Sequence, residues 1–526
     1  MPLSLSFVAF LAVVLPLYFL IPRRCQWSLL LAASLVFYSF AGWQSLLALM
    51  VLCALTYLFG LLLGRSVDRQ NRVLAEHRAD GSWDKATRKQ YRDRCVLRRR
   101  WLLASGIGAV LLLLAFFKYD GFVIRTLNTL TGASYTTHTL AIPLGISYVT
   151  LSAIGYMIDV SRGQLAQEKN PAKLALFIFY FPQLWQGPVN RYGELSPQLF
   201  APHSFDAKRA LEGALRALWG GVKKVVVANT VGLAVATIML TSGGIGGAWT
   251  WLMILLYSIQ IYADFTGGID IVMGVSHILG IDLYENFDRP FGACSVADYW
   301  RRWHRSMGRF FTDYVFYPLS TCRVSQKMAK LFRRLPLWIA TLATWILTGL
   351  WHGAGWNFVL WGLCNGVFIL LSQELRPYRR RLGEKLPRIS GSRWLSVLCC
   401  GGTLFTVGLF RTLDLFLLPR FTFRFWRLAL SPLAISELLD ASLWRSLGLS
   451  TSQWILIALG VLLMWAVGRA TPRAGDGQGV SLGTRLSRRP MLYATVCALM
   501  VVAIAVFGRY GMEYNVMDFI YGQSFM

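Results

Sequence analysis

The sequence predicts an all-α, polytopic membrane protein with about eleven transmembrane helices and additional re-entrant or interfacial helices. Three observations support this prediction. Of the 526 residues, 55% are hydrophobic and 15% are charged, whereas soluble domains average about 45–50% apolar and about 25% charged residues. The apolar residues form runs close to the roughly 20 residues that a spanning helix needs. The basic residues gather in short blocks between these runs.

The apolar runs are the candidate helices. In chain order they cover residues 3–21, 27–40, 45–63, 101–117, 140–160, 174–189, 225–241, 249–265, 336–351, 356–371, 394–410, 454–467 and 491–507. Several are short or contain Pro and Gly, which predicts tilted, broken or re-entrant segments. The first run lacks a basic n-region, so we interpret it as a membrane helix rather than a cleaved signal peptide. No polar linker divides the series, which predicts a single membrane domain over residues 1–526.

The distribution of positive charge excludes nucleic acid as a partner. The formal charge is +27, but the basic residues concentrate at 65–100, 323–334, 376–393 and 469–489, between apolar runs. Such blocks keep loops in the cytoplasm and are attracted to anionic membrane lipid. Placing them all inside puts the N-terminus and the C-terminus outside.

Neither the cysteines nor the histidines indicate a metal site. The nine cysteines show no metal-binding or redox spacing, and several lie in apolar runs where a thiol behaves as a small hydrophobe. The six histidines include no pair spaced like a zinc motif. We therefore predict neither a metal ion nor a disulfide framework.

The ionisable side chain that most constrains function is His352. It lies between two apolar runs, in the stretch Thr-Gly-Leu-Trp-His-Gly-Ala-Gly-Trp-Asn-Phe at residues 348–358. An ionisable group at membrane depth is costly and usually faces a cavity or a partner, so it indicates a functional site. The glycines allow close backbone approach, and Trp351 and Trp356 supply large apolar walls. We predict a pocket around His352.

A second candidate is the segment 298–314, in which apolar residues recur at helical spacing around His304 while arginines project elsewhere. This pattern predicts one amphipathic helix. It is compatible with an interfacial helix whose arginines lie among lipid headgroups. It is equally compatible with arginines that bind the phosphates of a nucleotide-bearing or pantetheine-bearing donor. The candidate donor-binding residues are Trp300, Arg301, Arg302 and Trp303.

A third candidate is the pair Asp264 and Asp270, separated by two glycines near the end of an apolar run. The glycines predict a break in the helix. Two acids near membrane depth need partners, and the arginines of the following segment and His304 are candidates. Structural pairing and a role in orienting a catalytic histidine or binding the acceptor are both compatible with the pattern.

Taken in order, these segments closely resemble the membrane-bound O-acyltransferases, most of all the bacterial branch that acetylates alginate and cellulose and D-alanylates teichoic acid. The matching segments are residues 143–147, 181–188, 260–270, 285–291, 298–304 and 350–356. They define a motif core at about 143–366, followed by C-terminal helices at about 394–526. Gly268 stands where relatives often have Tyr, and Cys364-Asn365 where alginate-type proteins tend to have Leu-His.

The resemblance implies helices around a central funnel, with His352 as the catalytic histidine and His304 as a second functional histidine. It also implies a bacterial inner-membrane protein with no bound cofactor. An acyl thioester such as acetyl-CoA is the implied co-substrate, reached from the cytoplasm. The implied acceptor outside is a polysaccharide hydroxyl, acylated directly or through a serine of a secreted partner. Trp351 and Asn357 join the candidate substrate-binding residues.

Imidazole suits a general base because its usual pKa of about 6.5 lets it take and return a proton near neutrality. We predict that His352 deprotonates the acceptor hydroxyl, with acetyl as the acyl group in exopolysaccharide synthesis, alginate included, and D-alanyl as the alternative. Two other classes stay open: a transporter that flips an acyl carrier, and a scaffold for an acylation complex. Neither explains why two histidine motifs and a glycine-rich segment occur together.

Overall fold

The structure is a computed structural model that describes residues 5–137, 141–241, 247–390, 392–416, 418–431, 436, 439–440, 444, 448–471 and 482–509. Within these residues, nine helices are long and apolar enough to cross a membrane. Two shorter apolar helices, Ser6–Leu20 and Ile146–Ser161, accompany them. The predicted all-α, multi-pass membrane class is confirmed. The end of the predicted domain, residues 510–526, lies outside the described residues.

The N-terminal helices include two that continue well beyond the apolar segment. The first six helices are α1 (Leu5–Leu20), α2 (Gln26–Ser39), α3 (Trp43–Ala79), α4 (Lys85–Leu114), α5 (Asp120–Thr131) and α6 (Ile146–Ser161). The polar second half of α3 and the polar first half of α4 make the basic block 65–100 a helical hairpin, with Asp84 capping α4 by accepting from Thr87 N at 2.8 Å. A π-helical turn, Ala115–Tyr119, joins α4 to α5.

The middle of the chain contains a broken segment and then a close helix pair. Its helices are α7 (Pro171–Phe179), α8 (Phe181–Gln186), α9 (Tyr192–Leu199), α10 (Ala207–Gly221), α11 (Asn229–Thr241) and α12 (Gly247–Ile278). The predicted run 174–189 forms α7 and α8 because the chain leaves helical geometry at Tyr180, and Pro182 starts the next turn. A π-helical segment, Val222–Ala228, joins α10 to α11.

The backbones of α10 and α12 touch because glycines face each other at two levels. A Cβ added at Gly213 would meet the carbonyl oxygen of Gly274 at 2.5 Å, and one at Gly220 would meet that of Gly267 at 2.5 Å. Small residues at such crossings let helices approach closely in a membrane. This contact fixes which side chains of α10 reach the acids of α12.

Short helices precede the helical hairpin that contains His352. They are α13 (Val296–Arg302), α14 (Arg305–Phe311), α15 (Tyr317–Thr321) and α16 (Arg323–Leu331), followed by the long helices α17 (Leu335–His352) and α18 (Trp356–Glu374). The hairpin helices pack tightly, because a Cβ at Gly349 would overlap the carbonyl of Phe358 and a Cβ at Gly362 would overlap that of Trp345. The glycines of the His352 stretch therefore serve helix packing as well as the turn.

The C-terminal helices lie beyond the motif core. They are α19 (Arg376–Lys385), α20 (Pro387–Ser390), α21 (Arg393–Arg411), α22 (Pro419–Ala429), α23 (Thr451–Ala470), α24 (Leu482–Ser487) and α25 (Pro490–Phe507). A short 3₁₀ turn, Thr412–Asp414, extends α21 and packs against α18. The end of α21 is thereby brought to the helix that follows His352.

Candidate active site

His352 is the last residue of α17, and the helix ends there because Gly353 is extended. The imidazole is half-buried between two indoles, with ring centroids 5.1 Å from Trp351 and 4.8 Å from Trp361. Within the described part of the chain, the buried Nε1 of Trp361 has no hydrogen-bond partner. A donor with no acceptor is costly in an apolar interior, so it is available to a visiting oxygen atom.

The end of α17 is held by the π-helical turn that follows α4. The Nζ of Lys118 donates to the carbonyl of Trp351 and, at 3.1 Å, to Ser147 Oγ. Tyr119 OH donates to the carbonyl of Leu350 at 2.5 Å, and Trp351 Nε1 donates to the carbonyl of Ser147 at 3.2 Å. These bonds satisfy carbonyls that a helix end leaves open and place a positive charge at its negative pole. They fix the turn that contains His352.

His304 lies between α13 and α14, where the chain adopts φ 47° and ψ 53°. The prediction of one continuous amphipathic helix is therefore wrong. Asn286 stabilises the interruption: its carbonyl accepts from Arg305 N and its Oδ1 accepts from Ser306 N, both at 3.0 Å. A left-handed residue with a side chain costs about 1–3 kcal/mol and persists where surrounding contacts determine it. Asn286 supplies these contacts and so aims the His304 ring.

The His304 side chain is fully buried. Its ring centroid lies 4.9 Å from Phe265 and 6.0 Å from Trp351, and in the described structure neither ring nitrogen has a hydrogen-bond partner. Because burial penalises the charged form, the pKa of His304 falls from its usual 6.5 to about 3. The imidazole is thus neutral at physiological pH, with one nitrogen able to donate and the other able to accept.

Trp351 brings the two sequence-predicted histidines together. Its ring centroid lies 5.1 Å from that of His352 and 6.0 Å from that of His304. Two imidazoles that are distant in sequence therefore share one apolar wall. Such an arrangement can remove a proton at one ring and form hydrogen bonds at the other while the indole excludes water.

The other predicted aromatic residues line the same region. Trp300 Nε1 donates to Asn365 Oδ1 at 2.9 Å, and its ring lies 5.3 Å from Trp361. Trp303 packs under a buried arginine, Arg411, whose Cζ lies 4.0 Å from the indole centroid. This arginine was missed by sequence reasoning. Its only signal was a basic residue in the last turn of an apolar run, at a site too distant in sequence to connect with His304.

Asn357 is buried in the first turn of α18. Its Nδ2 donates to the carbonyl of Leu413 at 2.9 Å, and its Oδ1 has no hydrogen-bond partner among the described residues. The amide therefore joins the hairpin of His352 to the turn that follows Arg411. Lys118 and Asn286 are the other positioning groups that sequence reasoning missed, because their partners come from distant segments.

The structure separates the predicted arginines from the histidines. The Arg301 side chain is 75% exposed, and Arg302 pairs with Asp298 at 2.7 Å. Arg301 thus faces solvent and Arg302 binds a carboxylate of its own helix, and none of the described contacts joins either arginine to His304. The interpretation that they bind a donor receives no support from this geometry.

Asp264 and Asp270 lie on α12, which is continuous from Gly247 to Ile278, so the predicted break is wrong. The predicted partners are also wrong. Asp270 binds Lys223 Nζ at 2.6 Å and Arg216 Nε at 2.9 Å, and Asp264 pairs with Lys224. These cations come from α10 and the segment after it, because the paired glycines bring that segment against α12. The acids are structural ion-pair partners here.

A cavity of about 10 Å³, the space of roughly one water molecule, reaches the chain two residues beyond His304. Its polar lining includes Ser152, Asn190, Arg191, Ser306 and Tyr314. Arg191 pairs with Asp313, and Tyr314 OH donates to Asp159 at 2.8 Å. The arginine and the tyrosine hydroxyl of this cavity therefore already have carboxylate partners, and the remaining space suits a water molecule rather than a larger ligand.

Comparison with known proteins gives one consistent result. The model of the membrane-bound O-acyltransferase (MBOAT) family matches residues 35–400. The chain is 32% identical to the probable alginate O-acetylase of Azotobacter vinelandii over 70% of the chain and 67% of that protein. It is 30% identical to the peptidoglycan O-acetyltransferase of Helicobacter pylori over 56% of the chain and 59% of that protein. It is 28% identical to the teichoic acid D-alanyltransferase of Bacillus subtilis over 50% of the chain and 65% of that protein.

Proposed function

The chain belongs to the membrane-bound O-acyltransferase family and is an O-acyltransferase, and we propose that it transfers an acetyl group across the bacterial inner membrane. The donor is a cytoplasmic thioester, acetyl-CoA, and the acceptor is a hydroxyl outside the cytoplasm. The observation that carries this proposal is the pair of imidazoles, His304 and His352, which both pack against Trp351.

His352 is the general base of the proposed reaction. Its ring takes the proton of the acceptor hydroxyl as the oxygen attacks the thioester carbonyl. The tetrahedral intermediate then collapses, the C–S bond breaks, and the thiolate leaves with the proton returned by the imidazolium. General acid–base catalysis of this kind contributes roughly 10²–10⁴-fold to a rate. The hydrogen bond from Lys118 to Trp351 holds the turn from which the ring projects.

His304 is the neutral hydrogen-bonding partner of the reacting groups. A histidine whose pKa is about 3 stays uncharged at neutrality, so it does not repel an imidazolium formed at His352. One ring nitrogen donates to the thioester carbonyl while Asn286 keeps the backbone in its left-handed conformation. Asn357 and Trp361 complete the polar contacts near His352, through an amide oxygen and an indole N–H.

The donor approaches from the side of the basic hairpin 65–100. The loop after α6 contacts this hairpin, because Gln167 donates to Asp68 at 2.9 Å. Under the positive-inside rule this side is cytoplasmic, and both termini lie outside. Asp264 and Asp270 stabilise the fold without touching substrate.

The acceptor is proposed to be a polysaccharide, acetylated directly or through a serine of a secreted partner. The functions of the relatives support this class, since they include acetyl transfer to alginate and peptidoglycan. One relative transfers D-alanyl to teichoic acid, so a D-alanyl thioester is the alternative donor. An exopolysaccharide or another cell-envelope polymer is accordingly the expected product.

The test measures transfer from radiolabelled acetyl-CoA in membranes that carry wild-type protein or His352→Ala. Any secreted partner encoded beside this protein is supplied, and a D-alanyl thioester is run in parallel. We expect acetyl transfer to fall about 10³-fold in His352→Ala, within the range of a lost general base. His77→Ala is the matched control, because His77 stacks on Trp83 in the basic hairpin.

A wild-type rate in His352→Ala at equal expression contradicts the assignment of His352. Labelled product with the D-alanyl donor alone contradicts acetyl as the acyl group. Replacement of His352 by Gln separates catalysis from transport: a transporter keeps its function with a neutral hydrogen-bonding side chain, whereas a general base does not.

A further inference from the structure

Two cations in this fold are equally buried but are balanced differently. Lys223 and Arg411 are each 5% exposed. Lys223 pairs with Asp270 at 2.6 Å. Arg411 has a single hydrogen-bond partner in the described structure, the hydroxyl of Tyr299 at 3.0 Å, and no ion pair there. Burying a cation away from any carboxylate is costly, so an anion that reached Arg411 would be bound favourably.

Among the described contacts, the groups around Arg411 include no carboxylate that forms an ion pair with it. Asp414 acts on Arg411 through its charge but forms no ion pair with it among the described contacts. Lys118, the other cation near His352, donates to a carbonyl and a hydroxyl rather than to a carboxylate. The charges of Lys118 and Arg411 both act on the His352 ring.

The guanidinium of Arg411 is fixed next to both histidine segments. Its Cζ lies 4.0 Å from the Trp303 centroid, and Trp303 directly precedes His304. The turn after Arg411 binds Asn357 through the carbonyl of Leu413. A guanidinium has five N–H donors, and the Tyr299 hydroxyl uses one of them. The remaining donors are held in place without an acceptor in the described structure.

We propose that Arg411 is a catalytic residue that binds the oxyanion of the tetrahedral intermediate. The inference rests on the proposed function. When the acceptor oxygen attacks, the C=O electron pair moves to the carbonyl oxygen, and an N–H of Arg411 donates to that oxygen. Re-forming the C=O bond expels the thiolate and releases the guanidinium unchanged. Donors aimed at developing charge in a water-poor site are among the strongest contributors to catalysis.

The test compares Arg411→Gln and Arg411→Lys with wild type in the labelled acetyl-transfer assay. Loss of one oxyanion donor costs about 10²–10³-fold in kcat. We expect a fall of that size in Arg411→Gln, little change in KM for acetyl-CoA, and a smaller fall in Arg411→Lys, which keeps the charge. Arg380→Gln is the control, because Arg380 lies in an exposed pair with Glu384.

A second donor separates catalysis from structure. In fluoroacetyl-CoA the fluorine withdraws electrons and stabilises the oxyanion without help from the protein. The ratio of fluoroacetyl to acetyl turnover should therefore rise in Arg411→Gln relative to wild type. An unchanged ratio together with an unchanged kcat overturns the proposal, and so does a reduced thermal stability that fully accounts for lost activity.

The two proposals fail in different ways. If wild-type membranes transfer no acyl group from any thioester tested, the proposed function fails. If wild type transfers acetyl and Arg411→Gln does so equally well, only the oxyanion assignment fails. Should Arg411→Gln not fold, Arg411→Lys decides. A kcat and a fluoroacetyl ratio equal to those of wild type reject the oxyanion assignment, and a lower kcat with a raised ratio supports it.

Discussion

The ion-pair cluster between α10 and α12 and the cations near His352 show two uses of buried charge in one protein. In the first region, Lys223 and Arg216 share Asp270, and Arg216 also binds Glu285 at 2.6 Å. In the second, Arg411 rests on an indole and a phenol without a carboxylate partner in the described structure. A buried ion pair destabilises a fold when one partner is removed, whereas a cation without a carboxylate partner is available for a reaction that creates an anion.

The two regions also differ in the continuity of their helices. Around the ion pairs, α12 stays continuous through Gly267 and Gly268 because α10 packs directly against them. Around the histidines, the helical conformation is interrupted at His304, and helix α17 ends at His352. Regular helices position charges for stability, and interrupted helices expose individual side chains to one another.

The largest stability effect is expected from Asp270→Asn. The change leaves Lys223 buried without its carboxylate, and breaking a buried pair by removing one partner costs about 3–5 kcal/mol. We expect a large fall in the unfolding temperature measured in detergent. Acetyl transfer per folded molecule should stay near the wild-type value. Loss of kcat without loss of stability would show that the ion-pair cluster takes part in catalysis and would remove the contrast between the two regions.

A smaller effect on stability, with a larger one on catalysis, is expected from Asn286→Ala. The substitution removes the Oδ1 that accepts from Ser306 N, and an unsatisfied buried donor costs about 1–3 kcal/mol. Because misplacement of about 1 Å can lower a rate about 100-fold, we expect kcat to fall 10- to 100-fold. Asn286→Asp keeps the acceptor and should recover most of the rate. Equal loss in both variants would contradict the positioning role.

The smallest effect concerns acid stability. The folded pKa of His304 is about 3, whereas unfolded histidine titrates near 6.5. Between these values the unfolded chain binds the extra proton, so stability falls as the pH is lowered below about 6.5, by up to about 1.4 kcal/mol per pH unit. His304→Gln should flatten that dependence, as followed by thermal unfolding from pH 8 to pH 5. Identical pH slopes for the two proteins would contradict the buried, neutral state of His304.

The fold class follows from the sequence because it depends on local properties. Apolar runs and basic blocks report where helices cross a membrane, and each of these signals lies within about 20 residues. Pro182, which lies in the first turn of α8, indicated the helix interruption at Tyr180 from the sequence. No local sequence signal indicated the helix break at His304. The break is stabilised by Asn286, which contacts the following residues only in the folded chain.

The site was predicted in part. His352, His304 and Trp351 were identified from their motifs, and the structure packs both imidazoles against the Trp351 indole. Arg301 and Arg302 were chosen for the right chemistry but belong to an exposed face and to a pair with Asp298. Asp264 and Asp270 were expected to pair with later arginines, yet their partners precede them. The charge pattern of the sequence does not show which helix packs against these two acids and supplies their cationic partners.

The sequence by itself determined that this chain is a multi-pass membrane protein of the O-acyltransferase family, because hydropathy, charge blocks and motif order are written along the chain. Only the tertiary structure decided which cation is paired and which is not. Lys223 and Arg411 are both basic residues next to apolar runs, and nothing local distinguishes them. The difference arises because glycines bring α10 against the acid of α12, while the end of α21 packs against indoles.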